Sequence, residues 1–174
     1  MNLLHCTQKL LQDIGLSPQE FKEPSSSSNC ILGNWYANSL LVSKRKAILF
    51  TNEKTLFSFF VPGLTKTSSL KIQPSFLAGL SYNLLDEGIE KFIVEKLLFE
   101  YRELGIAKTE DRHILGSMND IAKMFKYYIA YEVGGWEHCD LWAIAHKVNQ
   151  APMKFLQYRC ASDSIHKLLD SVKW

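Results

Sequence analysis

Asn34-Trp35-Tyr36-Ala37-Asn38-Ser39-Leu40-Leu41-Val42, then Ala47-Ile48-Leu49-Phe50-Thr51, then Leu56-Phe57-Ser58-Phe59-Phe60-Val61 is the stretch on which the fold turns. Aromatic and branched apolar residues dominate each run, and runs this short and apolar read as strands. The connectors Ser43-Lys44-Arg45-Lys46 and Asn52-Glu53-Lys54 are brief and polar, so the strands are expected to follow one another as an antiparallel meander. Pro62-Gly63 ends it.

Outward from the meander the chain is helical. Upstream, Lys9-Leu10-Leu11-Gln12-Asp13-Ile14 predicts a short helix stopped by Gly15 and Pro18, and the serine-rich run at 24–29 predicts a flexible surface loop. Downstream, Leu85, Ile89, Phe92, Ile93, Leu97, Tyr101 and Leu104 recur at three- and four-residue steps, predicting one amphipathic helix over 84–104. Its charged face reads as solvated, with Glu87 and Lys91 placed for an i,i+4 pair. A second helix is expected to begin at Ser117, with Ser117 and Asp120 as a capping-box variant, and to end at Gly134-Gly135. A third fits 137–148, and a terminal one fits 164–172 with Ser162 or Asp163 as its cap. The expectation is a single α+β domain over 1–174, an antiparallel β meander packed on one face by several α-helices.

Composition narrows the function. Of 174 residues, 47% are hydrophobic and 22% charged, and 20 Lys+Arg stand against 18 Asp+Glu. That excludes a disordered tail, a collagenous chain and a polybasic coat. The chain lacks a basic, apolar leader and any run long enough to cross a bilayer, which predicts a cytoplasmic protein without a membrane partner. Its four scattered cysteines form no CxxC pair and read as free thiols. No Walker A, GxGxxG, GxSxG, HExxH or zinc-finger spacing occurs, so no cofactor and no metal are expected.

Four clusters have chemistry to offer. Arg112-His113-Ile114-Leu115-Gly116-Ser117-Met118-Asn119-Asp120 reads either as an anion-binding corner at a helix start, with Arg112 as the clamp, or as simple helix capping. His5-Cys6-Thr7 suggests an activated thiol, but strand neighbours point to opposite faces, which favours a buried thiol beside a half-exposed imidazole. Cys139 and His146 lie two helical turns apart and lack the further ligands a zinc site needs. Lys44-Arg45-Lys46 with Trp35 and Tyr36 reads either as a basic finger with aromatic support or as a solubilising hairpin tip.

The ordered set His5-Cys6-Thr7-x-Lys9-Leu10, Gly33-x-Trp35, Leu49-Phe50-Thr51-Asn52, Val61-Pro62-Gly63-Leu64, Arg112 with Leu115-Gly116-Ser117-Met118-Asn119-Asp120, and Asn149-x-x-Pro152-Met153 resembles a prokaryotic domain family of unknown function, family 6933. The resemblance implies a small bacterial or mobile-element protein and carries no activity, cofactor or catalytic assignment. It singles out His5, Thr7, Trp35, Asn52, Arg112, Ser117, Asn119, Asp120 and Asn149 as candidate binding residues gathered on one cleft. The leading expectation is a non-catalytic binding module for a protein or nucleic-acid partner. The rivals are a small hydrolase or nuclease-like enzyme using His5 or His113 with Asp120 and Arg112, and a structural accessory. Trp136, Leu141, Trp142 and Ile144 suffice for a dimer seam or for burial within one chain, so monomer and homodimer both stand.

Overall fold

The computed structural model describes residues 2–17, 19, 30–42, 44–63, 71–109, 111–132 and 134–174; the expected serine-rich loop at 24–29 lies outside them. The meander is present: β2 (Trp35–Val42) pairs antiparallel with β3 (Arg45–Asn52), which pairs antiparallel with β4 (Ser58–Pro62). Pro62 closes β4 at a sheet edge, where its missing N–H costs no ladder bond.

The sheet is nevertheless mixed and five-stranded, in the order β4-β3-β2-β1-β5. β1 (Asn2–Cys6) runs parallel to both β2 and β5 (Leu104–Lys108). This corrects the purely antiparallel expectation. β1 is buried at every position, so it has no polar face and no alternation from which to read a strand.

Helices cover both faces of the sheet rather than one. On one face Trp35, Phe50 and Phe59 pack around Phe76 of α2 (Ile72–Asp86), and α1 (Gln8–Ile14) reaches Ser39 and Lys46 through Asp13. Gly79 lets α2 approach this closely, because a Cβ there would stand 2.5 Å from Phe59 Cε2. On the other face Phe60 stacks at 3.8 Å on Phe125 of α4 (Arg112–Tyr127), and α5 (Leu141–Asn149) packs on β4. Buried residues from Leu4 to Leu169 form one continuous core.

Several helix expectations shift. The α1 prediction holds, with Thr7 as N-cap and Gly15 in the left-handed region at φ 72°. The single helix over 84–104 is instead α2, a turn at Gly88 (φ 81°), α3 (Lys91–Glu100) and then β5. Leu85 and Phe92, assigned to the buried stripe, are exposed. The Glu87–Lys91 pair does not form: Lys91 faces Glu95 at 3.7 Å. The Glu87 side chain turns inward instead, 6% exposed, accepting from Ser162 Oγ at 2.6 Å with His146 and His166 beside it. The C-terminal helix α6 is Ala161–Asp170, and its N-cap is Cys160 rather than Ser162 or Asp163.

Candidate functional site

The helix expected at Ser117 begins five residues earlier. Asp111 is the N-cap of α4, accepting from the His113 and Ile114 amides at 2.8 and 3.2 Å. Ser117 and Asp120 are therefore interior to the helix, and neither a cap nor an anion corner exists at Ser117. The Asp111 carboxylate already satisfies the donors that an anion would use. The apolar set Ile114, Met118, Ile121 and Phe125 carries the periodicity that marks the true start.

The polar signature residues divide into inward and outward groups. Asn52 is fully buried: Oδ1 accepts from the Lys54 and Thr55 amides and the Thr55 hydroxyl, while Nδ2 donates to the Leu32 carbonyl at 2.8 Å. Asn149, 1% exposed, clamps β4, accepting from Ser58 N–H and donating to Ser58 C=O, both at 2.8 Å. Trp35 lies in the aromatic core. It sits opposite Asn52, at the far end of β2 from the Lys44 turn, so it lends the basic tip no support.

His5 is buried rather than half exposed, stacked on Tyr36 with ring centroids 4.8 Å apart. Burial lowers its pKa, opposed by a hydrogen bond to the Lys108 backbone and by the charges of Glu53 and Asp111. The same burial, helped by Asp111 and Glu53, pushes Tyr36 up to about 12. Cys6 is fully buried and its thiol is pushed well up, so it stays protonated and is a poor nucleophile. No hydrogen bond or ion pair joins His5, His113 and Asp120 among the described residues. Nor do three or more His, Cys, Asp or Glu side chains among them gather as metal ligands. No helix is long and apolar enough to cross a membrane.

The outward group borders a groove. Parallel pairing of β1 with β2 ends at Cys6 opposite Ala37, where Thr7 N–H still bonds Ala37 C=O at 3.0 Å. β2 continues to Val42, and this half of its edge is flanked by α1 on one sheet face and α4 on the other. The resulting groove of about 390 Å³ is lined by Lys9, Asn38, Ser39, Leu40, Asn119, Ala122, Lys123 and Lys126. Thr7 caps α1 and donates to Asn38 Oδ1 at 2.8 Å, fixing one end of the wall. Asp120 holds Lys123 at 3.0 Å on the rim. On the α1 side, Asp13 accepts from Ser39 Oγ and Lys46 Nζ. Burial raises the Asp13 pKa, but these hydrogen bonds and the charges of Lys46 and Lys9 outweigh it and leave the carboxyl below its ordinary value. Of the nine candidates, then, Asn119 lines the groove, while Thr7 and Asp120 border it through their bonds to Asn38 and Lys123. Arg112 and Ser117 lie on the earlier turns of α4, outside its lining, and His5, Trp35, Asn52 and Asn149 are buried.

Sequence reasoning missed Lys9, Asn38, Lys123 and Lys126 as a set. No spacing rule joins them; only the early stop of β1 and the path of α4 do. No curated protein and no solved structure matches the chain. Residues 3–164 match the family described as Domain of unknown function (DUF6933), and the chain belongs to that family.

Proposed function

We propose that this protein is a non-catalytic binding module that holds an acidic macromolecular partner in the groove between α1 and α4. The observation that carries the reading is the groove's composition. Three lysines and two side-chain amides surround a strand edge that no described strand pairs beyond Ala37, and Lys9 and Lys126 have no ion-pair partner among the described residues. Such groups attract and orient an anionic partner. The enzymatic alternative has less support: the neutral, stacked His5 and the protonated Cys6 supply no activated nucleophile within reach of a base. The reading suits a small cytoplasmic protein of a bacterium or mobile element, where a reducing setting keeps Cys6, Cys30, Cys139 and Cys160 as free thiols.

Fluorescence anisotropy with labelled polyanions, a glutamate-rich peptide and a single-stranded oligonucleotide, tests it at low and high salt. The expected result is salt-sensitive binding that the Lys9→Glu/Lys126→Glu double variant loses while keeping its fold. Binding that ignores those two lysines contradicts the reading.

A further inference from the structure

We propose that the occupant of this groove is an extended acidic peptide segment that adds to β2 as a strand, taking the lane that β1 vacates after Cys6. This rests on the groove being the binding site and specifies what enters it.

The main chain makes the argument. The β2–β3 ladder is unbroken from Trp35 opposite Asn52 to Val42 opposite Arg45. In such a ladder, successive residues turn their N–H and C=O groups alternately toward and away from the partner strand. Ala37 faces away from β3, since its carbonyl accepts from Thr7 on the β1 side. Ser39, which lines the groove and is 3% exposed, and Leu41, which lies just beyond the lining and is 53% exposed, share that direction, so their N–H and C=O groups turn away from β3, to a side where the described residues offer no strand to pair with them. Donors and acceptors in alternation are what a peptide backbone satisfies and what β-augmentation uses.

The flanking side chains set the chemistry of the guest. Successive side chains of an added strand point to opposite sheet faces. On one face they meet Lys123, Lys126 and Asn119 of α4, and on the other Lys9 of α1. Acidic residues of either parity thus find an ammonium group. A nucleic-acid strand fits less well. Its phosphates are acceptors only and would leave the outward carbonyls unpaired, and the lining holds no aromatic ring among the described residues for a base to stack on.

The full chain is titrated by anisotropy at low salt with three probes: a labelled glutamate-rich octapeptide, the same peptide N-methylated at every amide, and a labelled oligothymidylate of equal charge. Leu41→Pro accompanies the wild type. Its lost N–H is the outward one, so the β2–β3 ladder keeps its bonds, and Lys9→Glu/Lys126→Glu provides a second variant at exposed positions. The expected result is peptide binding that weakens about tenfold or more on N-methylation and in Leu41→Pro, the scale set by losing main-chain hydrogen bonds. The octapeptide is also expected to bind tighter than the oligothymidylate. If both peptides bind alike and both are lost in the double-lysine variant, the groove stands and strand addition falls. Tighter oligothymidylate binding through the same lysines overturns the peptide. Absence of binding by all three probes overturns the groove reading itself.

Discussion

Replacing Asn149 with alanine removes the side chain that pairs the outer edge of β4 at Ser58. Asn52 N–H bonds Phe57 C=O, so Phe57 faces β3 and Ser58 faces outward, toward α5. There Asn149 accepts from Ser58 N–H and donates to Ser58 C=O, at 2.8 Å in each case, and Ser58 is fully buried. The alanine variant leaves two buried main-chain groups without partners, each costing about 1–3 kcal/mol, or about 4 kcal/mol together. That is a large share of the roughly 5–15 kcal/mol that stabilises a domain. For a chain of this size it corresponds to a fall in Tm of about 8–16 °C. Urea unfolding followed by circular dichroism measures the loss. Asn149→Asp is expected to lose nearly as much, because its oxygen keeps the bond to Ser58 N–H but opposes Ser58 C=O and buries a charge. A loss below about 1 kcal/mol in the alanine variant would refute the view that this signature residue stitches the fold.

Gly116 sits in the interior of α4 and is exposed, with nothing within 4 Å of a Cβ placed there, so Gly116→Ala is expected to stabilise by about 0.5–1 kcal/mol in the same assay. Gly79→Ala pushes a Cβ against Phe59 and is expected to cost about 1–3 kcal/mol. Arg112 is exposed without an ion-pair partner among the described residues, so Arg112→Ala is expected to change stability by less than about 0.5 kcal/mol. Stability is also expected to fall on both sides of neutrality. His5 has a folded pKa below its ordinary 6.5, so the unfolded chain holds more protons as pH drops below that value, and stability declines down through the folded pKa. Cys6, ordinarily 9.0, and Tyr36, ordinarily 10.0 and here about 12, keep their protons longer when folded, so stability declines as pH rises above about 9. Urea midpoints across this pH range check both limbs, and the acid limb flattens in His5→Gln.

What the residues disclosed in advance was the part of the fold governed by neighbours in sequence. The three meander strands were legible because their apolar runs are separated by short polar turns, and α1 because Gly15 stops it. β1 and β5 were not. Leu104–Lys108 continues directly from a helical stripe, and only its parallel pairing with β1 makes it a strand. The start of α4 was misplaced because Ser117 and Asp120 imitate a cap that Asp111 actually provides. The signature positions were recognisable, but their roles were not: whether an asparagine bonds its own fold, as Asn52 and Asn149 do, or faces solvent, as Asn119 does, depends on tertiary burial. The groove's lysines come from α1 and from the later turns of α4, elements whose proximity no local pattern encodes.

On the proposed reading, the outer edge of β2 beyond Ala37 receives a partner. Amide hydrogen exchange, resolved residue by residue with and without saturating glutamate-rich octapeptide, tests it most directly. Slowed exchange is expected at the Ser39 and Leu41 amides, with Leu40 and Val42, already paired to β3, unchanged. Protection confined to other surfaces, with Ser39 and Leu41 exchanging as before, would contradict it.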